Sequence, residues 1–118
     1  MKVKTSELQG AALDWAVAKC IYEPDDVVIC EGRVFAYYVH TEGCFNPSEN
    51  WAQGGPIIEQ EKIALSYDTG RFGWVASFYD GDAVFGGTPL IAAMRCYVAS
   101  KLGDEVEVPD ELMEGELK

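Results

Sequence analysis

Phe85-Gly-Gly-Thr-Pro-Leu-Ile-Ala-Ala-Met-Arg-Cys-Tyr-Val-Ala-Ser-Lys-Leu-Gly103 decides the fold, because it reads as one complete helix with both ends marked. The Thr88 hydroxyl can accept from a free N–H of the first turn. Pro89 then falls at the first helical position, where its missing N–H costs nothing. Gly103 stands where a left-handed residue closes a helix, and Lys101 puts positive charge in the last turn. Between the caps only Arg95, Ser100 and Lys101 are polar. A helix this apolar on most sides is covered by other elements, so it is the expected core helix.

Upstream, Val3 begins a short edge strand. Ser6 with Gln9 three positions on forms a capping box, which predicts a helix from Glu7 to Cys20 or Ile21. Its apolar residues cover most sides and leave a narrow stripe, Glu7, Ala11, Asp14 and Ala18, for water. Val27–Cys30 and Arg33–His40 read as a hairpin turned at Glu31-Gly32. Thr41 to Gly55 has no periodicity and is rich in Gly, Asn, Pro and Ser, so it reads as a long loop. Pro56 opens a short helix to about Lys62. Ile63 to Tyr67 fits either a strand or the tail of that helix. Phe72–Tyr79 reads as a strand between turns at Asp68-Thr69-Gly70 and Asp80-Gly81-Asp82. After the core helix, Glu105–Val108 alternates acid and valine as an edge strand that could mediate a homodimer. The expectation is one α+β domain over 1–108, with a mostly antiparallel sheet of about four strands and helices packed on it. Residues 109–118 read as an acidic tail.

The composition excludes several classes. With 48% apolar and 12% aromatic residues the chain is not disordered throughout. No apolar run approaches the ~18 residues of a membrane-crossing helix, and the first residues lack the apolar core of a signal peptide, so a cytosolic protein is expected. The net charge is −11, and residues 104–118 hold seven acids and one base. Double-stranded DNA would be repelled, since binding it relies on clustered Lys and Arg. Such an arm reads as a solvated tail that aids solubility or, together with the Glu7/Asp14 stripe, as a surface that engages a basic host or phage protein.

Catalytic signatures are scarce. His40 is the single histidine, and Cys20, Cys30, Cys44 and Cys96 form no Cys-x-x-Cys pair, so neither a zinc site nor a nucleophile–base pair is expected. Asp80 and Asp82 lack the later ligands of a calcium loop. No cofactor is implied, and an enzyme is not the expectation. The most suggestive feature is an echo. Gly54-Gly55-Pro56-Ile57-Ile58 and Gly86-Gly87-Thr88-Pro89-Leu90-Ile91 each set a double glycine before a proline-led helix start. Free amides at such a start suit a phosphate or carboxylate, although glycine and proline also merely punctuate turns. Arg95, on the Thr88 stripe, must meet a carboxylate, a carbonyl or a ligand anion. Trp51, just before Gly54, could stack a nucleobase or clip the loop to the core. Trp51, Gly54, Gly55, Gly87, Thr88 and Arg95 are therefore the candidate ligand-binding residues.

Three blocks carry a resemblance: the opening with Gly-Ala-Ala-Leu-Asp-Trp-Ala-Val-Ala-Lys-Cys20, Trp51 to Glu59, and Thr88 to Val106. They resemble NinX-like proteins, small proteins of lambdoid phages and of prophages in enteric bacteria. The likeness spans nearly the whole chain and is least typical over Tyr22 to Pro47. It implies a phage accessory protein acting in the cytoplasm of the infected bacterium and brings no catalytic residues. Taken with the candidate residues, the leading reading is a non-enzymatic binder of a small anionic or nucleotide-like molecule that counters a host response, and the alternative is an acidic adaptor or inhibitor of a basic host or phage protein.

Overall fold

The computed structural model describes residues 1–36, 44–78 and 81–112. Its centre is the expected core helix, α3, over Pro89–Leu102. Thr88 Oγ1 accepts from the Ile91 N–H at 3.1 Å, and the Gly103 N–H closes the far end on the Ala99 carbonyl. Gly103 adopts φ 88°, ψ −161°, an extended mirror-image conformation rather than the left-handed one expected. That region is still essentially restricted to glycine, so the residue type holds while the motif differs. Ala92, Ala93, Met94 and Val98 are fully buried.

The strands around it are β1 (Lys2–Lys4), β2 (Val27–Cys30), β3 (Arg33–Ala36), β4 (Ala64–Asp68), β5 (Gly73–Ser77), β6 (Val84–Gly86) and β7 (Glu105–Glu107). The other helices are α1 (Gly10–Ile21) and α2 (Trp51–Glu61). The α+β class and the antiparallel pairing hold. Among the described residues the strands divide among three small sheets, β1-β7, β2-β3 and β4-β5-β6, instead of forming one of about four strands. One side of α3 packs on β5 and β6, the other on α1 and α2. A single helix thus collects three layers, which explains why it has almost no polar face. Close packing against β6 needs Gly86, where a Cβ would run into the Ala92 backbone.

The β2–β3 hairpin turns at Glu31-Gly32 as expected, with φ 52° and 75°. Two left-handed residues give the turn whose twist matches the flanking strands. Ile63–Tyr67 resolves in favour of strand: β4 starts at Ala64, after Lys62 ends α2 in the left-handed region. Phe72 stands outside β5, in the turn, with φ 52°. The distal part of the Arg33–His40 run, the Asp80 turn position, His40 and residues 113–118 lie outside the described residues.

Three expectations are corrected. Ser6 does not cap α1. Thr5–Glu7 is a 3-10 turn, because Thr5 is drawn to the end of α3: its N–H donates to Asp104 O at 2.7 Å and its hydroxyl to Gly103 O at 2.6 Å. The helix therefore starts later, at Gly10. Secondly, the stripe expected to face water is covered at Asp14 and Ala18, while Glu7, which lies before α1, is exposed and Ala11 is half-buried. Asp14 is 4% exposed and Ala18 fully buried, because the segment 44–50 lies over α1. Thirdly, α2 begins at Trp51, five residues before Pro56. Asn50 caps it by accepting from the Ala52 N–H at 2.9 Å, so Gly54, Gly55 and Pro56 are inside the helix.

At the other end of the chain, Asp110–Leu112 forms a 3-10 turn with Leu112 buried. The Met1 N–H groups bond Val108 O at 2.9 Å and Asp110 Oδ1 at 3.2 Å, so both ends of the described chain meet beside β1-β7.

Candidate functional site

The helix-start echo does not survive as drawn. Gly54 is a packing residue: its added Cβ would lie 2.5 Å from Pro47 O and 2.7 Å from Leu90 Cδ2. Its N–H donates to Asn50 O at 2.8 Å, within the helical ladder. Gly55 precedes a proline in a helix, where a Cβ would crowd the proline ring. Pro56 leaves Ala52 O without a helical donor, and both residues are exposed enough for water to supply one. Physical needs of one helix thus account for Gly-Gly-Pro.

Arg95 meets carbonyls. Its Nε donates to Leu8 O at 2.7 Å and its Nη1 to Phe85 O at 3.1 Å. Burial pushes its pKa down, and Glu7 nearby pulls the other way. The side chain ties the segment before α1 and the strand β6 to α3. It lines none of the hollows described below.

The true starts of α2 and α3 nevertheless open onto one groove of about 390 Å³, lined by Ser48, Glu49, Trp51, Thr88 and Pro89 among others. Of the six candidate residues this groove brings together Trp51 and Thr88. Trp51 is 54% exposed, so it does not clip the segment to the core. Gly87 has open space around it and does not line the groove. Most first-turn amides here are taken. Ala52 N–H goes to Asn50 Oδ1, Ile91 N–H to Thr88 Oγ1, and Ala92 N–H to Thr88 O. The exposed Glu49 adds a negative charge.

Behind the groove lies the least expected contact. Asp14 Oδ1 on α1 accepts from the Ser48 N–H at 2.9 Å. Burial raises the Asp14 pKa to about 6; the Ser48 hydroxyl and N–H oppose this and Glu49 adds to it. The hydroxyl lies near enough to favour the charged carboxyl, yet Ser48 Oγ, buried, makes no hydrogen bond of good geometry among the described residues. Ser48, Glu49 and Asn50 were invisible to sequence reasoning as site residues. One signal was present: Asn50-Trp-Ala-Gln53 has the spacing of a capping box. In the fold Gln53 uses its side chain elsewhere, accepting from Asn46 N–H at 2.6 Å and donating to Cys44 O at 3.2 Å.

A wider hollow of about 600 Å³ lies between β1, β6 and the second half of α3, and holds none of the candidate residues. Two of its hydroxyls are already engaged, Thr5 with Gly103 O and Ser100 with Tyr97 O, both at 2.6 Å. Burial raises the Cys96 thiol pKa, which removes thiolate character. No group of three or more metal-ligating side chains occurs among the described residues, and no described helix is long and apolar enough to cross a membrane.

No curated protein matches the chain. The family described as Bacteriophage P22, NinX matches residues 4–101, which include α1, α2, all but the last residue of α3, both halves of the groove and Arg95. That match covers most of the sequence, so the chain belongs to the NinX family of phage proteins.

Proposed function

We propose that this phage accessory protein works in the cytoplasm of the infected bacterium as a non-enzymatic binding protein. Its Trp51 groove receives an arginine side chain of a basic host or phage protein. The observation that carries this reading is the pairing of a half-exposed Trp51 with the exposed Glu49 in one groove. A planar guanidinium stacks on an indole face and pairs with a carboxylate at once. A net charge of −11 steers basic partners toward the chain over roughly a Debye length.

A small nucleotide-like ligand is the second reading. It is favoured by two helix starts facing one groove beside a stacking aromatic. Occupied cap amides and the Glu49 charge weigh against a phosphate there.

Isothermal titration separates the two. An arginine-rich peptide should bind wild type, weaken as salt rises, and lose about tenfold or more in affinity with Trp51→Ala or Glu49→Gln. Binding of nucleotides alone would favour the second reading, with Glu49→Gln tightening it. Heat from neither class sinks both.

A further inference from the structure

The sheet β4-β5-β6 has an outer strand, β4, whose far edge meets no strand among the described residues. Five residues long, it exposes Ala64, Ser66 and Tyr67, with Tyr67 at 50%. Native edges are usually guarded by lysine, proline or a bulge, and β4 has none of these. The turn that follows presents Phe72 at 82% exposure. This turn is braced. Asp68 Oδ1 accepts from Gly70 N–H at 3.0 Å and Arg71 N–H at 3.2 Å, and Asp68 Oδ2 pairs with Arg71 Nε at 3.0 Å. Phe72 itself sits in the left-handed region, a costly conformation for a bulky residue. A large aromatic held outward by a fixed turn is the kind of group that anchors an interface.

We propose that the β4 edge pairs antiparallel with the β4 edge of a second copy, joining two three-stranded sheets into one of six strands about a two-fold axis near Ser66. Charge and length together favour this edge: the strands β1 and β7 carry like charges, and the uncharged β2 and β6 are shorter, at four and three residues against five. Self-pairing of β1 would set Lys2 and Lys4 against lysines, and self-pairing of β7 would set Glu105 and Glu107 against glutamates. The one charged residue of β4 is Asp68, already neutralised by Arg71. The contact is isologous, so it closes at two copies.

Sedimentation under reducing conditions tests this with the full chain. Wild type at tens of micromolar should show twice the 13.0 kDa of one chain. Ser66→Lys, which places like charges across the axis, and Phe72→Asp should each weaken the dimer about tenfold or more, with unchanged circular dichroism. Should Ser66→Lys not fold, Phe72→Asp decides. Ser66→Cys in a Cys30→Ser background should cross-link on oxidation. A wild type that stays monomeric overturns the proposal. So does a dimer that Ser66→Lys and Phe72→Asp leave intact, or one that only Val28→Lys on β2 disrupts.

Discussion

Asp14 and Ser48, 34 positions apart, are joined by a buried hydrogen bond of 2.9 Å between the Asp14 carboxyl and the Ser48 N–H. That bond fixes the segment leading into Trp51 against α1, and it holds a carboxyl whose charged form is costly. The Asp14 pKa rises from 3.8 to about 6, so between these values the folded state binds more protons than the unfolded one. Stability therefore falls as pH rises through that window and levels off above it. Asp14→Asn keeps an acceptor for Ser48 N–H and offers donors to the buried Ser48 hydroxyl. It should stabilise the protein by up to about 3 kcal/mol at pH 7, with the gain vanishing toward pH 4. Urea midpoints of both proteins across pH 4 to 8 check this. A difference that does not change with pH would remove the argument.

Arg95 is predicted to matter for stability before it matters for binding. Arg95→Met leaves Leu8 O and Phe85 O without their charged donor while filling much of the same volume. Hydrogen bonds to charged groups contribute ~1.5–3 kcal/mol each, so a loss of about 2–4 kcal/mol is expected. Arg95→Lys reaches one carbonyl and recovers part of it. Equilibrium urea unfolding gives the number, and a variant as stable as wild type would contradict the tether. Peptide affinity of the folded Arg95→Lys protein should stay within about twofold, since Arg95 is not in the groove.

How much of this could be read beforehand depends on the range of the interactions. The caps of α3 are local: Thr88 and Pro89 act within a turn and hold, and Gly103 closes the helix as a glycine-only position though not in the left-handed conformation expected. The Glu31-Gly32 hairpin is local as well. The start of α2 was misplaced because Gly-Gly-Pro carries the signature of a break, whereas here the cap is Asn50 and tertiary packing on Pro47 and Leu90 selects Gly54. Asp14 on a helical stripe looks solvated until the covering segment, 34 residues on, is in place. The groove shares that origin, since its two walls come from helices that meet only in the fold. Trp51 and Thr88 were found for reasons that partly failed, the supposed free amides, and Glu49 was not found at all.

Thr88→Ala offers a cap test. It removes the acceptor of the Ile91 N–H and should cost about 1 kcal/mol, as N-cap deletions do. Thr88→Ser and Thr88→Asp restore the acceptor and should return most of it. If all three variants melt together, the cap contributes nothing and the α3 start is held by packing alone.

Gly54 and Gly87 make opposite predictions once their surroundings are compared. Gly54→Ala pushes a methyl into Pro47 O, which is backbone, and into Leu90 Cδ2. The segment 44–50 would have to shift away from α2, at about 1–3 kcal/mol, and Trp51 would move with it. Gly87→Ala meets nothing within 4 Å, and its backbone is not in the left-handed region, so stability should change by less than about 0.5 kcal/mol. The two variants therefore separate stability from binding. Gly54→Ala should lower the unfolding midpoint and perturb Trp51 fluorescence. Gly87→Ala should leave both unchanged, and leave arginine-peptide affinity within about twofold. A Gly87→Ala protein that folds like wild type yet loses the peptide would place the ligand against the Gly87 backbone and restore the loop before α3 as part of the site.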